Sequence, residues 1–334
     1  MVTDGQNLSV LIAGCGSIGR RHARVLQGMG VRDLRACDPV GSQRDQLIAE
    51  SNARAYASYE EALASRPDVV LLCTPTKMHL PMAHQALDAG AHIFCEKPLS
   101  DSAEGIDALA EHARRADRAV AVGYCYRHHD GLRKAKDILE RGEVGRLVSL
   151  RCMMGEHLPL VRPDYRSLYC AQYGGAYELI HAVDLAVWYS GRPFQRVRCA
   201  EGTFSDIGIV APDLAELIVT FEGGMLASIH VDFFQVARRF QVELICTAGI
   251  VTVEFGEWDR CVVSVCNPQG EWTRETLATA RDDMIRAEDR AFLAAVAGGF
   301  PVECGIAEAR KSLEIVAAGR RDALGGFLPS SASS

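Results

Sequence analysis

The chain has 334 residues, with 36 basic against 43 acidic side chains and a formal net charge of −7. Hydrophobic residues make up 48% of it and charged ones 24%, which excludes a disordered polar polymer. The acidic balance argues against a nucleic-acid-binding protein, no apolar run reaches the ~18–20 residues of a membrane span, and the length suggests about two domains.

The first residues, MVTDGQNLSVLIAG, lack a basic region ahead of an apolar core with a small-residue cleavage site, so no secretory signal is read there. The twelve cysteines are scattered singly, without zinc spacing. Reduced thiols in a cytoplasm are the expectation, with no metal, nucleic-acid or membrane partner.

From the start, short apolar runs alternate with amphipathic stretches. LSVLIAG (8–14) reads as a buried strand, Ile18 to Met29 as a helix, LRACD (34–38) and DVVLLC (68–73) as strands. Met78 to Ala89 reads as a helix, AHIFCE (91–96) as a strand, Ala103 to Arg115 as a helix and AVAVGY (119–124) as a strand. Near-continuous apolar strands separated by helices predict a doubly wound parallel sheet over residues 1–125.

Past about residue 145 the texture changes. LVSLRCMMG, RVRCAEGTFS, LAELIVTFEG, GMLASIHVDFF, FQVELICTAG, GIVTVEF and CVVSVCN follow one another, with Gly223-Gly224 as a hairpin turn. Helices are expected over Gly174 to Ser190, Asp282 to Ala297 and Ile306 to Ala318, and the tail GGFLPSSASS is expected to fray. Residues 126–334 therefore read as an α+β domain with a large, mainly antiparallel sheet.

Gly14-Cys15-Gly16-Ser17-Ile18-Gly19 is a G-x-G-x-x-G between a strand and a helix. Gly14 allows the tight turn, Gly16 lets the backbone approach a diphosphate, and Gly19 lets helix and strand pack closely. The backbone of Ser17 and Ile18 and the positive helix end would receive the phosphates. Asp38 follows 19 residues after Gly19, where a carboxylate would bond ribose hydroxyls and repel a 2′-phosphate. NAD is the expected cofactor; Ser42, Arg44, Arg20 and Arg21 nearby leave NADP open.

Thr74-Pro75-Thr76, His79 and Glu96-Lys97-Pro98 each follow a predicted strand. Together with GCGSIGRRH (14–22) and GYCYR (123–127), they resemble the glucose–fructose oxidoreductase/inositol dehydrogenase (Gfo/Idh/MocA) family over nearly the whole chain. The resemblance implies an N-terminal Rossmann domain, a C-terminal domain for substrate and self-association, and hydride transfer between a nicotinamide cofactor and a sugar, sugar acid or cyclic polyol. It implies that Thr74, Pro75 and His79 line the cofactor, and that Glu96 and Lys97 sit near the nicotinamide. Ligands of such sheets bind at the carboxyl ends of the strands, so Tyr124 to Arg127 belong to the same crevice; Tyr126 and Arg127 are candidate substrate residues.

His181 and Asp184 lie three residues apart, on one helix face with Tyr177, Glu178 and Trp188. The family carries a similar His-x-x-Asp, usually with an Asp four residues before the histidine. Here that place is Tyr177, with Glu178 one residue on. His181, with an ordinary pKa near ~6.5, is the candidate base. Lys97 is the candidate cation on the substrate oxygen, and Asp184 orients His181 or holds another hydroxyl. In the stretch His157 to Tyr173, interleaved Tyr and Arg, including Tyr165, Arg166, Tyr169 and Tyr173, suit a polyhydroxylated ligand. These arginines could equally hold loop or subunit contacts.

A homodimer or homotetramer through the C-terminal sheet is expected, because an uncovered sheet face would expose an apolar patch. Two other functions stay open: reduction of a different ring system, as in biliverdin reductase-like relatives, or cofactor binding by a regulator without turnover.

Overall fold

The computed structural model describes residues 5–162, 165–168 and 175–324. Tyr169, Tyr173, Gly174 and the tail from residue 325 lie outside the described residues. The strands are β1 (Ser9–Ala13), β2 (Asp33–Cys37), β3 (Arg54–Tyr56), β4 (Val69–Leu72), β5 (His92–Glu96), β6 (Val120–Gly123), β7 (Leu147–His157), β8 (Phe194–Gly202), β9 (Leu214–Phe221), β10 (Met225–Asp232), β11 (Phe234–Cys246), β12 (Gly249–Phe255), β13 (Arg260–Cys266) and β14 (Trp272–Ala278). The helices are α1 (Ser17–Gly28), α2 (Gly41–Glu50), α3 (Tyr59–Ala64), α4 (His79–Asp88), α5 (Ile106–Ala116), α6 (Asp130–Glu140), α7 (Leu158–Val161), α8 (Tyr165–Leu168), α9 (His181–Ser190), α10 (Asp283–Gly298) and α11 (Ile306–Leu324).

Contacts divide the chain into two units. One holds the residues up to His128 with Asp282–Arg310; the other holds His129–Arg281 and the chain from Lys311. A single cut after residue 125 therefore differs from the packing. Helix α10 returns to the first unit, where Phe292 and Leu293 join the core formed by Val10, Ile12, Leu26, Val69, Leu71 and Phe94.

In the first unit six strands run in the order β3-β2-β1-β4-β5-β6, with every pairing parallel. Helices cover both faces of such a sheet, which is why β4, and β1 after Ser9, are apolar and wholly buried. Val10, Leu11 and Ile12 are completely shielded, each worth about 1.5–3 kcal/mol of transfer free energy. Sequence patterning missed α2, β3 and α3. Strand β3 is only three residues, Arg-Ala-Tyr, on the sheet edge.

The second unit carries an eight-stranded sheet in the order β14-β13-β12-β11-β7-β10-β9-β8. Its pairings are antiparallel except β7 with β10. Gly223 and Gly224, at φ 76° and 81°, make the expected hairpin turn between β9 and β10. Strand β14 escaped the pattern because it is a polar, almost fully exposed edge strand.

Two helix boundaries differ most from expectation. The segment expected to be helical from Gly174 begins as a 3-10 turn over Gly175–Leu179, and the α-helix starts at His181; a glycine-led start disfavours helix by about 0.5–1 kcal/mol per glycine. Helix α11 runs six residues past Ala318. Gly319 does not end it: a Cβ there would lie 3.1 Å from Leu217 and 3.4 Å from Cys199, so glycine allows α11 to press on β8 and β9. No helix among the described residues is long and apolar enough to cross a membrane.

On β10, His230 meets Glu216 at 2.5 Å through Nδ1 and Asp232 at 2.8 Å through Nε2. Hydrogen bonds to Asp232 and then Glu216 raise the imidazole to about 9, against partial burial. A raised folded-state pKa stabilises the fold fully below the ordinary value of ~6.5, and that contribution fades as pH passes about 9. We expect His230→Gln to lower Tm by about 2–4 °C near pH 6, for a loss of about 1 kcal/mol, and by much less near pH 10. Equal losses at both pH values in thermal scans would contradict a charged His230.

Candidate functional site

In the first unit, three loops converge at the carboxyl ends of β1, β2 and β4. The Gly14 N–H donates to Cys37 O at 2.9 Å, and the Cys73 N–H donates to Ala13 O at 2.7 Å. Gly14 has φ 97°, and a Cβ there would stand 2.5 Å from Cys73 O. A Cβ on Gly19 would stand 2.0 Å from Gly14 O. Gly16 differs: no atom lies within 4 Å of where its Cβ would be. It is the N-cap of α1, and neither a side-chain cap nor an acidic residue occupies the first turn. With Ser17 exposed and Gly16 and Ile18 half-buried, the backbone N–H groups of this positive helix end face open space suited to an anion.

Asp38 stands beside this turn. Its Oδ2 accepts from the Cys15 N–H at 2.9 Å and its Oδ1 from the Val40 N–H at 2.8 Å. Each oxygen retains accepting capacity for a hydroxyl. The nearby cations are engaged: Arg44 donates to Asp38 O, and Arg20 contacts Gln43, Gln46 and Glu50.

Thr74 is half-buried and Pro75 exposed, as loop residues facing a ligand would be. His79, expected beside a cofactor, is instead 1% exposed. Its Nε2 lies 2.8 Å from Thr74 O and its Nδ1 2.9 Å from Pro98 O. Burial lowers its pKa, against the pull of the two carbonyls. A neutral ring has a single N–H, so it donates to one of these carbonyls and packs against the other.

Glu96 ends β5 and Lys97 follows, joined to Pro98 by a cis peptide bond. Glu96 Oε2 accepts from the Lys97 N–H at 3.1 Å. Its Oε1 lies 3.1 Å from His22 Nε2, and His22 Nδ1 reaches Asp289 on α10 at 2.9 and 3.0 Å. His22 is completely buried. Burial works against its protonation, but Asp289 and Glu96 outweigh it and hold the pKa well above the usual imidazole range. Burial likewise opposes ionisation of Glu96, but the His22 hydrogen bond outweighs it and keeps Glu96 below the ordinary carboxylate value. His22 and Asp289 were not among the expected site residues, and 267 positions separate them.

Tyr126 and Arg127 are buried in the 3-10 turn Cys125–His128. The Arg127 guanidinium lies 3.8 Å from Glu308 and 6.0 Å from the centre of the Tyr124 ring.

In the second unit, His181 occupies the first position of α9 and is 8% exposed; Asp184, one turn on, is 1% exposed. The Ser312 hydroxyl of α11 donates to Asp184 Oδ1 at 3.4 Å. Tyr177 and Glu178 lie in the 3-10 turn rather than on the helix. The Tyr177 hydroxyl meets Cys199 Sγ at 3.2 Å, and Arg320 covers its ring at 4.7 Å. Trp188 packs beneath Lys136 and Arg133 of α6. The Tyr165 hydroxyl donates to Ile207 O at 2.6 Å and accepts from Arg166 Nε at 3.0 Å. These tyrosines are spent on holding the unit's own loops.

Residues 8–124 match an oxidoreductase family with an NAD-binding Rossmann fold, and residues 132–252 match the GFO/IDH/MocA C-terminal domain. An uncharacterized oxidoreductase, YrbE, of Bacillus subtilis is 29% identical over 65% of this chain and 65% of its own length. An inositol 2-dehydrogenase of Leifsonia xyli is 30% identical over 59% of this chain and 57% of its own. The chain thus spans less than two thirds of the length of these two relatives. The UDP-N-acetylglucosamine 3-dehydrogenase GnnA of Acidithiobacillus ferrooxidans superposes with a TM-score of 0.81 at 23% identity, over 95% of this chain and 97% of that one, a likeness of fold. With a glycine cradle and a Glu-Lys-Pro strand end in the first unit and family matches along both, the chain belongs to the Gfo/Idh/MocA family of oxidoreductases with an NAD-binding Rossmann domain.

Proposed function

We propose that this chain is a cytoplasmic NAD-dependent dehydrogenase acting on a secondary alcohol or ketone of a sugar, a sugar acid or a cyclic polyol. The observation that carries the reading is the anion cradle at Gly16, in the same unit as a half-buried lysine at the end of β5. Free thiols at the described cysteines suit a reducing compartment.

The residues present fit a dinucleotide. Gly16, Ser17 and Ile18 would hold the diphosphate, Asp38 the ribose hydroxyls, and Thr74, Pro75, Glu96 and Lys97 the nicotinamide end. The bound cofactor supplies the hydride acceptor or donor. NAD is favoured over NADP because Asp38 puts a carboxylate where a 2′-phosphate would go, while Arg20 and Arg44 are engaged.

The Lys97 ammonium polarises the substrate oxygen and stabilises charge developing on it. His181 takes or returns the hydroxyl proton, a task a neutral imidazole can perform near pH 7, and Asp184 orients it. Tyr165, Arg166, Tyr177 and Arg127 enter this reading as supports of their own loops. The relatives named inositol 2-dehydrogenase and UDP-N-acetylglucosamine 3-dehydrogenase support a ring hydroxyl as the reacting group. The reading also takes Ile218 and Leu226, 49% and 39% exposed on paired strands, as part of a surface for a second copy of the chain.

Three outcomes are expected. NADH binds at least about tenfold more tightly than NADPH, about 1.4 kcal/mol, in fluorescence titrations; the reverse order rejects the role of Asp38. Gly16→Ala folds normally but loses NADH affinity, whereas Gly14→Ala loses soluble folded protein, as its backbone and the Cys73 carbonyl both forbid a side chain. Unimpaired NADH binding by Gly16→Ala would count against the cradle. In a screen of myo-inositol, aldoses and sugar acids, Lys97→Ala and His181→Ala each lower kcat about 10²–10⁴-fold; near-normal turnover in either variant removes that residue from the mechanism.

A further inference from the structure

His22 is a buried imidazole with a carboxylate at each nitrogen. A neutral ring has one N–H and one bare nitrogen, and an ionised carboxylate only accepts. To bond both Asp289 and Glu96, the ring must carry both protons, or one carboxyl group must carry the second. Asp289 itself is 2% exposed and faces the ring with both oxygens, while the edge of Phe94 closes on His22 at 5.4 Å between ring centres.

The two oxygens of Glu96 have separate tasks: Oε1 faces His22 Nε2, and Oε2 receives the Lys97 N–H. On the far side of the same dipeptide, the Pro98 carbonyl faces the His79 ring at 2.9 Å. Lys97-Pro98 is thus held at its N–H end by a carboxylate, and its carbonyl end lies against the His79 imidazole.

We propose that Asp289, His22 and Glu96 form a positioning chain for Lys97, in which an imidazolium clamped between two carboxylates fixes the Glu96 oxygen that anchors the Lys97 peptide. Its functional meaning rests on the role proposed above for Lys97. His22 and Asp289 are positioning residues: they act through Glu96. The arrangement ties helix α10, late in the chain, to the strand end that presents the lysine.

Two measurements on the full-length protein test it. In the [15N]histidine-labelled chain, with the His22 signals assigned by their loss in His22→Gln, both ring nitrogens remain protonated from about pH 6 to 9; a singly protonated ring in that range overturns the imidazolium. In the [15N]lysine-labelled chain, the Lys97 amide exchanges at least about tenfold faster in His22→Gln and Asp289→Asn than in wild type, whereas the Lys77 and Lys134 amides are unchanged. An unchanged Lys97 rate, or equal acceleration at all three lysines, overturns the proposal, the second because it reports general loosening. With any polyol the enzyme turns over, the same variants lower kcat while the Kd for NADH stays within about threefold; a loss confined to the Kd also overturns it. Full activity in Lys97→Ala, with the amide result intact, would leave the anchor standing and reject the reading of Lys97 instead.

Discussion

The first unit depends on one close approach. The Cys73 carbonyl lies 2.5 Å from where any Cβ on Gly14 would be, so the residue that follows β1 must lack a side chain. At that point the strand order reverses, with β2 on one side of β1 and β4 on the other, and loops leaving neighbouring strands diverge to opposite faces and open a crevice. The same turn aims the start of α1 at the gap, and Gly19 keeps the helix tight against Gly14 O. Three glycines thus answer to three constraints: a carbonyl, an empty space and a backbone. Only the empty space is left for a ligand.

Much of this was legible from residues alone, for a physical reason. Strands buried on both faces must be largely apolar, so β1, β4, β5 and β6 stand out, and glycine spacing marks the turn. The elements that escaped obey weaker constraints. Strands β3 and β14 lie at sheet edges, where burial imposes little pattern. Gly319 reads locally as a helix end, yet its role is set by Leu217 and Cys199, about a hundred positions earlier. The return of α10 to the first unit is a tertiary fact that no local period encodes.

The same division runs through the candidate site. Gly16, Asp38 and the Glu-Lys-Pro segment are local motifs, and each lies at the carboxyl end of a first-unit strand. His79 and Tyr177 were recognised as special, but their environments could not be read. One is buried between two carbonyls, and the other presses its hydroxyl on a cysteine. His22 shows the limit most clearly. It sits in an Arg-Arg-His run, and its partners Asp289, 267 positions away, Glu96 and Phe94 are all distant in the chain.

His22 and His230 share one chemical arrangement, an imidazole between two carboxylates, and water decides what each becomes. His230 is on a strand with its side chain 26% exposed. Solvent compensates either protonation state there, so the ring titrates near 9 and its worth varies with pH. His22 is wholly buried, and losing one proton would leave either Asp289 or Glu96, whose side chains are 2% and 15% exposed, facing a bare ring nitrogen with little water to screen it. That state is costly enough to keep the proton in place across the range in which histidines usually switch. The surface triad is therefore a stability element that answers to pH. The buried one is a fixed charge, and a fixed charge is what a geometric anchor for the Lys97 peptide requires.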